Sequence, residues 1–219
     1  MPGLFITFEG TEGSGKSTQI SLLAERLRSQ GYSVLTLREP GGTPIGEEIR
    51  HTLKHSKDND AMTAEAELLL MNASRAQLVR EVIRPALERD EVVLCDRFYD
   101  STTAYQGYGR QLPLPLVKAI IDVAVGDTRP DLTLLLVVSP ETSETRRLAR
   151  QSTMPFMRDR FEESDRAFFE RVARGFEQIA AAEPSRLRTL HAEHSVAEMQ
   201  ATIWAAVEPL LRKCRQRLH

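Results

Sequence analysis

Gly10-Thr11-Glu12-Gly13-Ser14-Gly15-Lys16-Ser17-Thr18 follows directly on the apolar run Leu4–Glu9. The stretch matches G-x-x-x-x-G-K-[ST]. Its glycines let successive backbone N–H groups curl around phosphate oxygens without a Cβ in the way. A helix opening at Lys16 aims its positive end at the same anion. Lys16 then reaches the β- and γ-phosphates of a nucleotide, and the Ser17 hydroxyl is offered to Mg²⁺. Residues 10–18 are therefore expected to hold ATP. A strand before the loop and a helix after it are what the motif requires.

Working outward, three more continuous apolar runs read as buried parallel strands: Val34–Arg38, Val92–Asp96 and Leu132–Val138,. Arg188–Leu190 is a weaker fifth. Helical patterns lie between them at Lys16–Gln30, Glu65–Arg89, Leu114–Val125 and Ala197–Arg212, the second broken near Pro85. Strands alternating with helices predict an α/β fold, a doubly wound parallel sheet covered on both faces. The 219 residues suit a single domain 1–219, with an arginine-rich lid segment at about 141–166,.

Ligands of such sheets gather at the carboxyl ends of the strands. The third strand ends in Asp96-Arg97, so Asp96 is expected near the loop, where a carboxylate holds Mg²⁺ directly or through water. Arg97 would bridge an acceptor phosphate. The second strand ends in Arg38-Glu39-Pro40-Gly41-Gly42-Thr43-Pro44, a rigid turn on the same edge and either a substrate wall or a plain loop. Residues 146–174 hold eight arginines. Phosphoryl transfer needs cations over the moving group, and a closing segment can bring them. Arg146, Arg150 and Arg158 are assigned that role, and the later arginines read as surface charge. No general base stands out, which suits an acceptor that is itself a phosphate: its second pKa is about 6, so it is already largely ionised at neutral pH. The five histidines show no metal-ligand spacing,; His51 and His55 read as surface residues.

A net charge of −2 argues against a nucleic-acid footprint spread over the surface,. No apolar run approaches the ~18 residues of a membrane span. Cys95 and Cys214 suggest no disulfide framework, so a cytoplasmic location is expected. No leader is expected either, because the first motif begins so early.

Taken in order, Phe8-Glu9-Gly10 with the phosphate loop, Arg38-Glu39-Pro40-Gly41-Gly42-Thr43, Arg75-Ala76-Gln77, Asp96-Arg97 and Ala104-Tyr105-Gln106-Gly107 resemble the bacterial thymidylate kinase family over nearly the whole chain. The resemblance implies a five-stranded parallel sheet of the P-loop NTP hydrolase fold and the reaction ATP + dTMP to ADP + dTDP, with Mg²⁺, serving DNA precursor synthesis. It implies a homodimer formed through helices, to which Glu65–Arg89 could contribute. It also implies a dTMP site of Glu12, Arg38, Pro40, Met71, Arg75, Arg97, Thr102, Tyr105 and Gln106. Within it, Arg75 would read the thymine, Arg97 the monophosphate, and Tyr105 would disfavour a ribose. The chain departs from the family in two places. Met71 stands where a phenylalanine usually stacks on thymine, and Gln151–Met157 is longer than usual. Two rivals follow: a related kinase accepting dUMP, dCMP or a nucleoside, and a nucleotide-binding switch. The switch would carry an N-K-x-D-type guanine reader, which the chain lacks.

Overall fold

The computed structural model describes residues 3–56, 58–153, 160–161, 164–192 and 195–216. Five parallel strands, β1 (Leu4–Glu9), β2 (Val34–Arg38), β3 (Val92–Asp96), β4 (Leu132–Val137) and β5 (Leu187–His191), form one sheet in the order β2-β3-β1-β4-β5. All five lie where the apolar runs placed them.

Alternation along the central strands divides the molecule. Leu4, Ile6 and Phe8 of β1, with Val92 and Leu94 of β3, bury one face against helices α1 (Lys16–Ser29) and α9 (Val196–Gln216). Phe5, Val93 and Cys95 bury the other face. There they meet α3 (Ala64–Leu78), α4 (Arg84–Glu88) and α6 (Leu114–Val125). Successive side chains of a strand point to opposite faces. Asp96 therefore shares its side with Leu94 and faces α1, while Glu9 shares its side with Phe5 and faces away from it.

The long helix predicted at Glu65–Arg89 is present in three pieces. Between α3 and α4, residues Val79–Ile83 form a π-helical turn. Pro85 has no N–H for the i→i−4 ladder, and the chain takes up the misfit by widening the turn just before it. Among the helices outside the sequence reading are α2 (Pro44–Lys54) and α8 (Arg166–Ala182). In α2, Thr43 caps the N-terminus, its Oγ1 accepting from Gly46 N at 2.9 Å, with Pro44 in the first turn,. In α8, Asp165 accepts from Phe168 N at 2.7 Å. Phe168, Val172, Phe176 and Ile179 then line its buried stripe. The first half of the expected lid is also helical, α7 (Pro140–Thr153).

Candidate active site

The phosphate loop joins β1 to α1 at the carboxyl edge of the sheet. Gly10 has φ +133°, and a Cβ there would lie 2.2 Å from the carbonyl oxygen of Leu136 on the neighbouring strand, so only glycine fits the turn,. Lys16 is buried, and its Nζ curls back onto the carbonyls of Gly10 (3.1 Å) and Thr11 (2.9 Å) and onto Ser14 Oγ (3.4 Å). Burial, then the neighbouring Arg97, lower its pKa to about 8. An arriving phosphate would supply the missing counter-charge. Thr18 is exposed on the first turn of α1.

Ser17 Oγ donates to Asp96 Oδ2 at 2.8 Å. Two hard oxygens meet at the mouth of the loop, donors of the kind that would suit Mg²⁺,. Among the described residues no cluster of three or more His, Cys, Asp or Glu forms a cage of its own.

Arg97 turns the chain at the end of β3 with φ +69°, its N–H donating to Phe8 O at 2.9 Å. Its guanidinium reaches back over the loop. Nη1 donates to Gly10 O (3.0 Å) and Ser101 Oγ (3.1 Å), and Nη2 to Glu12 Oε1 (2.7 Å). Burial works against its charge, but Tyr105, Glu12, Asp96 and Glu9 outweigh that and hold its pKa above the usual arginine range.

Behind Arg97 stands Glu9, which the sequence reading did not single out. Its carboxylate accepts from Phe98 N (2.7 Å), Ser101 N (3.3 Å) and Ser101 Oγ (2.5 Å), tying the start of helix α5 (Tyr99–Thr102) to β1. Complete burial and the nearby Asp100 raise the Glu9 pKa to about 7. The residue that ends an apolar strand one position before the loop was the available signal.

A cleft of about 460 Å³ opens beside Arg97, lined by Glu12, Pro40, Met71, Arg75, Thr102, Tyr105 and Gln106 among others. Arg75 is 2% exposed and surrounded by protein acceptors. Glu39 Oε2 lies 2.8 Å from Nε and 2.7 Å from Nη2; Asn72 Oδ1 and Thr102 Oγ1 each lie 2.9 Å from Nη1; Phe98 O lies 3.2 Å from Nη2. Its edge faces the cleft, but its donors already serve the protein. Because Thr102 accepts from Arg75, its own hydroxyl hydrogen is left for another acceptor. Tyr105 packs in edge-on contact with Phe161, Phe168 and Phe176, with the Arg97 guanidinium 5.1 Å from its ring centroid. Burial pushes its hydroxyl up to about 12.

Arg38 is the one residue of the expected acceptor set that does not line the cleft. Half exposed, it pairs with Glu47 of α2 at 2.9 Å and donates to Pro40 O at 3.4 Å, bracing the turn. Over the loop, α7 is seated on the phosphate-binding backbone: Ser143 Oγ donates to Glu12 O (2.6 Å) and Arg146 Nη1 to Gly13 O (3.0 Å). Arg158 and the side chain of Arg150 lie outside the described residues. Reading the later arginines as surface charge needs correction at two positions. Arg160 is partly buried against Glu67, and Arg171 Nε donates to Gly109 O at 3.0 Å.

Comparison with known proteins shows the family. Residues 8–203 match the family model described as Thymidylate kinase. The chain is 49% identical over 211 residues to a thymidylate kinase of Pseudomonas savastanoi pv. phaseolicola, covering 96% of this chain and 98% of that protein. It is 47% identical over 204 residues to one of Chlorobium luteolum, covering 91% and 94%. The crystal structure of thymidylate kinase from Ehrlichia chaffeensis superimposes with a TM-score of 0.75 at 31% identity, covering 95% of this chain and 99% of that one.

Proposed function

The chain belongs to the thymidylate kinase family, and from that premise we propose that it transfers the γ-phosphate of ATP to dTMP, giving ADP and dTDP. One observation carries the reading at the level of the site. Arg97 donates at once to Gly10 and Glu12 of the phosphate loop and lines the cleft, so a single guanidinium touches both the donor's cradle and the acceptor's pocket.

In this reading residues 10–18 cradle the ATP phosphates and Lys16 neutralises the β- and γ-oxygens. Arg97 exchanges its carbonyl and carboxylate partners for the acceptor monophosphate. Arg146, and with it Arg150 and Arg158, brings positive charge over the group in flight. Ser17 and Asp96 would hold Mg²⁺, which supplies charge neutralisation on the phosphate oxygens. Positioning and electrostatics then suffice, because the attacking oxygen belongs to an ionised phosphate and no side chain has to remove a proton. Met71, Arg75, Thr102 and Gln106 form the end of the cleft suited to the base, and Tyr105 its sugar wall.

The same reading takes the chain as one domain with residues 141–166 as its lid. It also takes it as a homodimer in the cytoplasm. Leu69 of α3 and Leu114, Leu116 and Val123 of α6 are exposed apolar side chains on two helices that pack together. Cys95 and Cys214 are not joined in a disulfide. Among the described residues no helix is long and apolar enough to cross a membrane.

The test is ADP release with ATP and Mg²⁺, offering dTMP, dUMP, dCMP, dGMP and thymidine in parallel. Turnover of dTMP well above the others is expected. Broad turnover would move the specificity claim to a relaxed nucleotide kinase with Met71 widening the pocket, and no turnover with any acceptor would refute the reading.

A further inference from the structure

Glu67 of α3 is fully buried, and nothing in the phosphoryl-transfer scheme uses it. Three side chains from two other parts of the chain converge on it. Gln106 Nε2 donates to Oε1 at 2.7 Å. Arg110 donates through Nε at 3.2 Å to Oε1 and through Nη2 at 3.1 Å to Oε2. Arg160, whose backbone N–H is fixed on Lys54 O at 3.2 Å, adds Nη2 to Oε2. Both Glu67 oxygens face guanidinium N–H groups, which have no acceptor to offer, so the carboxylate serves here as an acceptor,.

That fact decides which way Gln106 points. A glutamine amide has two faces of opposite character, and only its hydrogen-bond network tells them apart. With an obligate acceptor on one side, the nitrogen must face Glu67, so the oxygen faces the other way. Gln106 lines the cleft, and no described residue donates to its Oε1. Arg75, the neighbouring polar group, is occupied by protein acceptors. The base end of the cleft thus presents one oriented acceptor, beside the Thr102 hydroxyl as donor.

We propose that Glu67 is a positioning residue for base selection: it locks the Gln106 amide with its oxygen toward the cleft, matching the single N3–H donor of a thymine or uracil edge and opposing the N3 lone pair of cytosine. A flipped amide would present N–H groups and reverse the preference. The inference rests on the nucleotide-kinase reading and names the residue that enforces its base choice.

The experiment compares kcat/KM for dTMP and dCMP in the wild type, Glu67→Gln, Glu67→Asp, Gln106→Met and the Glu67→Asp/Gln106→Met double variant. Glu67→Asp retains the charge that balances the two arginines and withdraws the acceptor by one methylene, so it stays informative where Glu67→Gln does not fold. Both Glu67 variants are expected to lower the dTMP-to-dCMP ratio about tenfold or more, mainly through KM for dTMP. Adding Glu67→Asp to Gln106→Met should leave the ratio where Gln106→Met puts it, because the lever is already gone. A ratio unchanged in folded Glu67→Asp, or a further fall of the same size in the double variant, overturns the proposal. Wild-type failure to phosphorylate dTMP would instead sink the underlying kinase reading.

Discussion

Replacing Arg75 with methionine should cost the free protein more stability than any single hydrogen bond explains. The guanidinium is 2% exposed and has Glu39, Asn72, Thr102 and Phe98 O around it. Glu39 is also buried, and its other oxygen, Oε1, already lacks a partner. Removing Arg75 therefore strands a carboxylate in the interior, a loss of about 3–5 kcal/mol. Against a total of about 5–15 kcal/mol for a fold, that is a large share. For a chain of this size it corresponds to a drop in Tm of roughly 6–20 °C.

The pH dependence has a definite sign. Burial raises the pKa of folded Glu39, with Arg75 opposing the rise. Without Arg75 the folded carboxyl holds its proton more tightly still. The protonated form is then what the fold tolerates, and stability is lost as pH climbs above the ordinary carboxylate range. Urea unfolding at about pH 5 and about pH 8 should show the larger loss at the higher pH. The double variant Arg75→Met/Glu39→Leu should recover at least half of it, because an apolar pair replaces the stranded charge. An Arg75→Met protein within ~1 kcal/mol of wild type, or no recovery in the double variant, would refute the reasoning.

Other substitutions test other parts of the site. Ser17→Ala removes a proposed Mg²⁺ oxygen and the partner of Asp96, so ADP release should fall about tenfold or more and need more Mg²⁺; an unchanged Mg²⁺ titration would remove Ser17 from the ion's ligands. Tyr105→Ala opens the sugar wall, and turnover of the ribonucleotide relative to dTMP should rise about tenfold; a constant ratio would free Tyr105 of that role. Gly10→Ala drives a Cβ to 2.2 Å from Leu136 O at φ +133°, and urea unfolding should show at least ~2 kcal/mol lost. Wild-type stability in that variant would mean the loop can shift where it is drawn as fixed.

The fold was legible because its strands are continuous apolar runs, a signal that needs no partner to be read. The phosphate loop was legible because its spacing is set by the anion it wraps. Helices α2 and α8 carry ordinary signals hidden by stronger ones. Pro44 reads with the Pro-Gly-Gly turn before it as readily as it does as the first residue of α2, and the arginines of 166–174 overlie the Phe168, Val172, Phe176 and Ile179 stripe in the sequence. The cleft was legible only in part. Arg97 and Tyr105 carry recognisable chemistry, whereas Glu9, Glu39 and Glu67 act through residues far off in the chain. A carboxylate at 67 facing groups at 106, 110 and 160 has no local pattern to betray it. Arg38 sits inside a diagnostic run, and its side chain pairs with Glu47.

The alternation of β1 and β3 has a consequence for anyone wishing to redesign this protein. Because Asp96 faces α1 while Glu9 faces α5, the machinery for the donor and the scaffold for the acceptor hang on opposite sides of the same two strands. A library confined to α3 and residues 98–110 could explore new acceptors while the cradle for ATP stays untouched. Lengthening β1 by a single residue would turn Glu9 toward α1, and lengthening β3 would turn Asp96 away from it,.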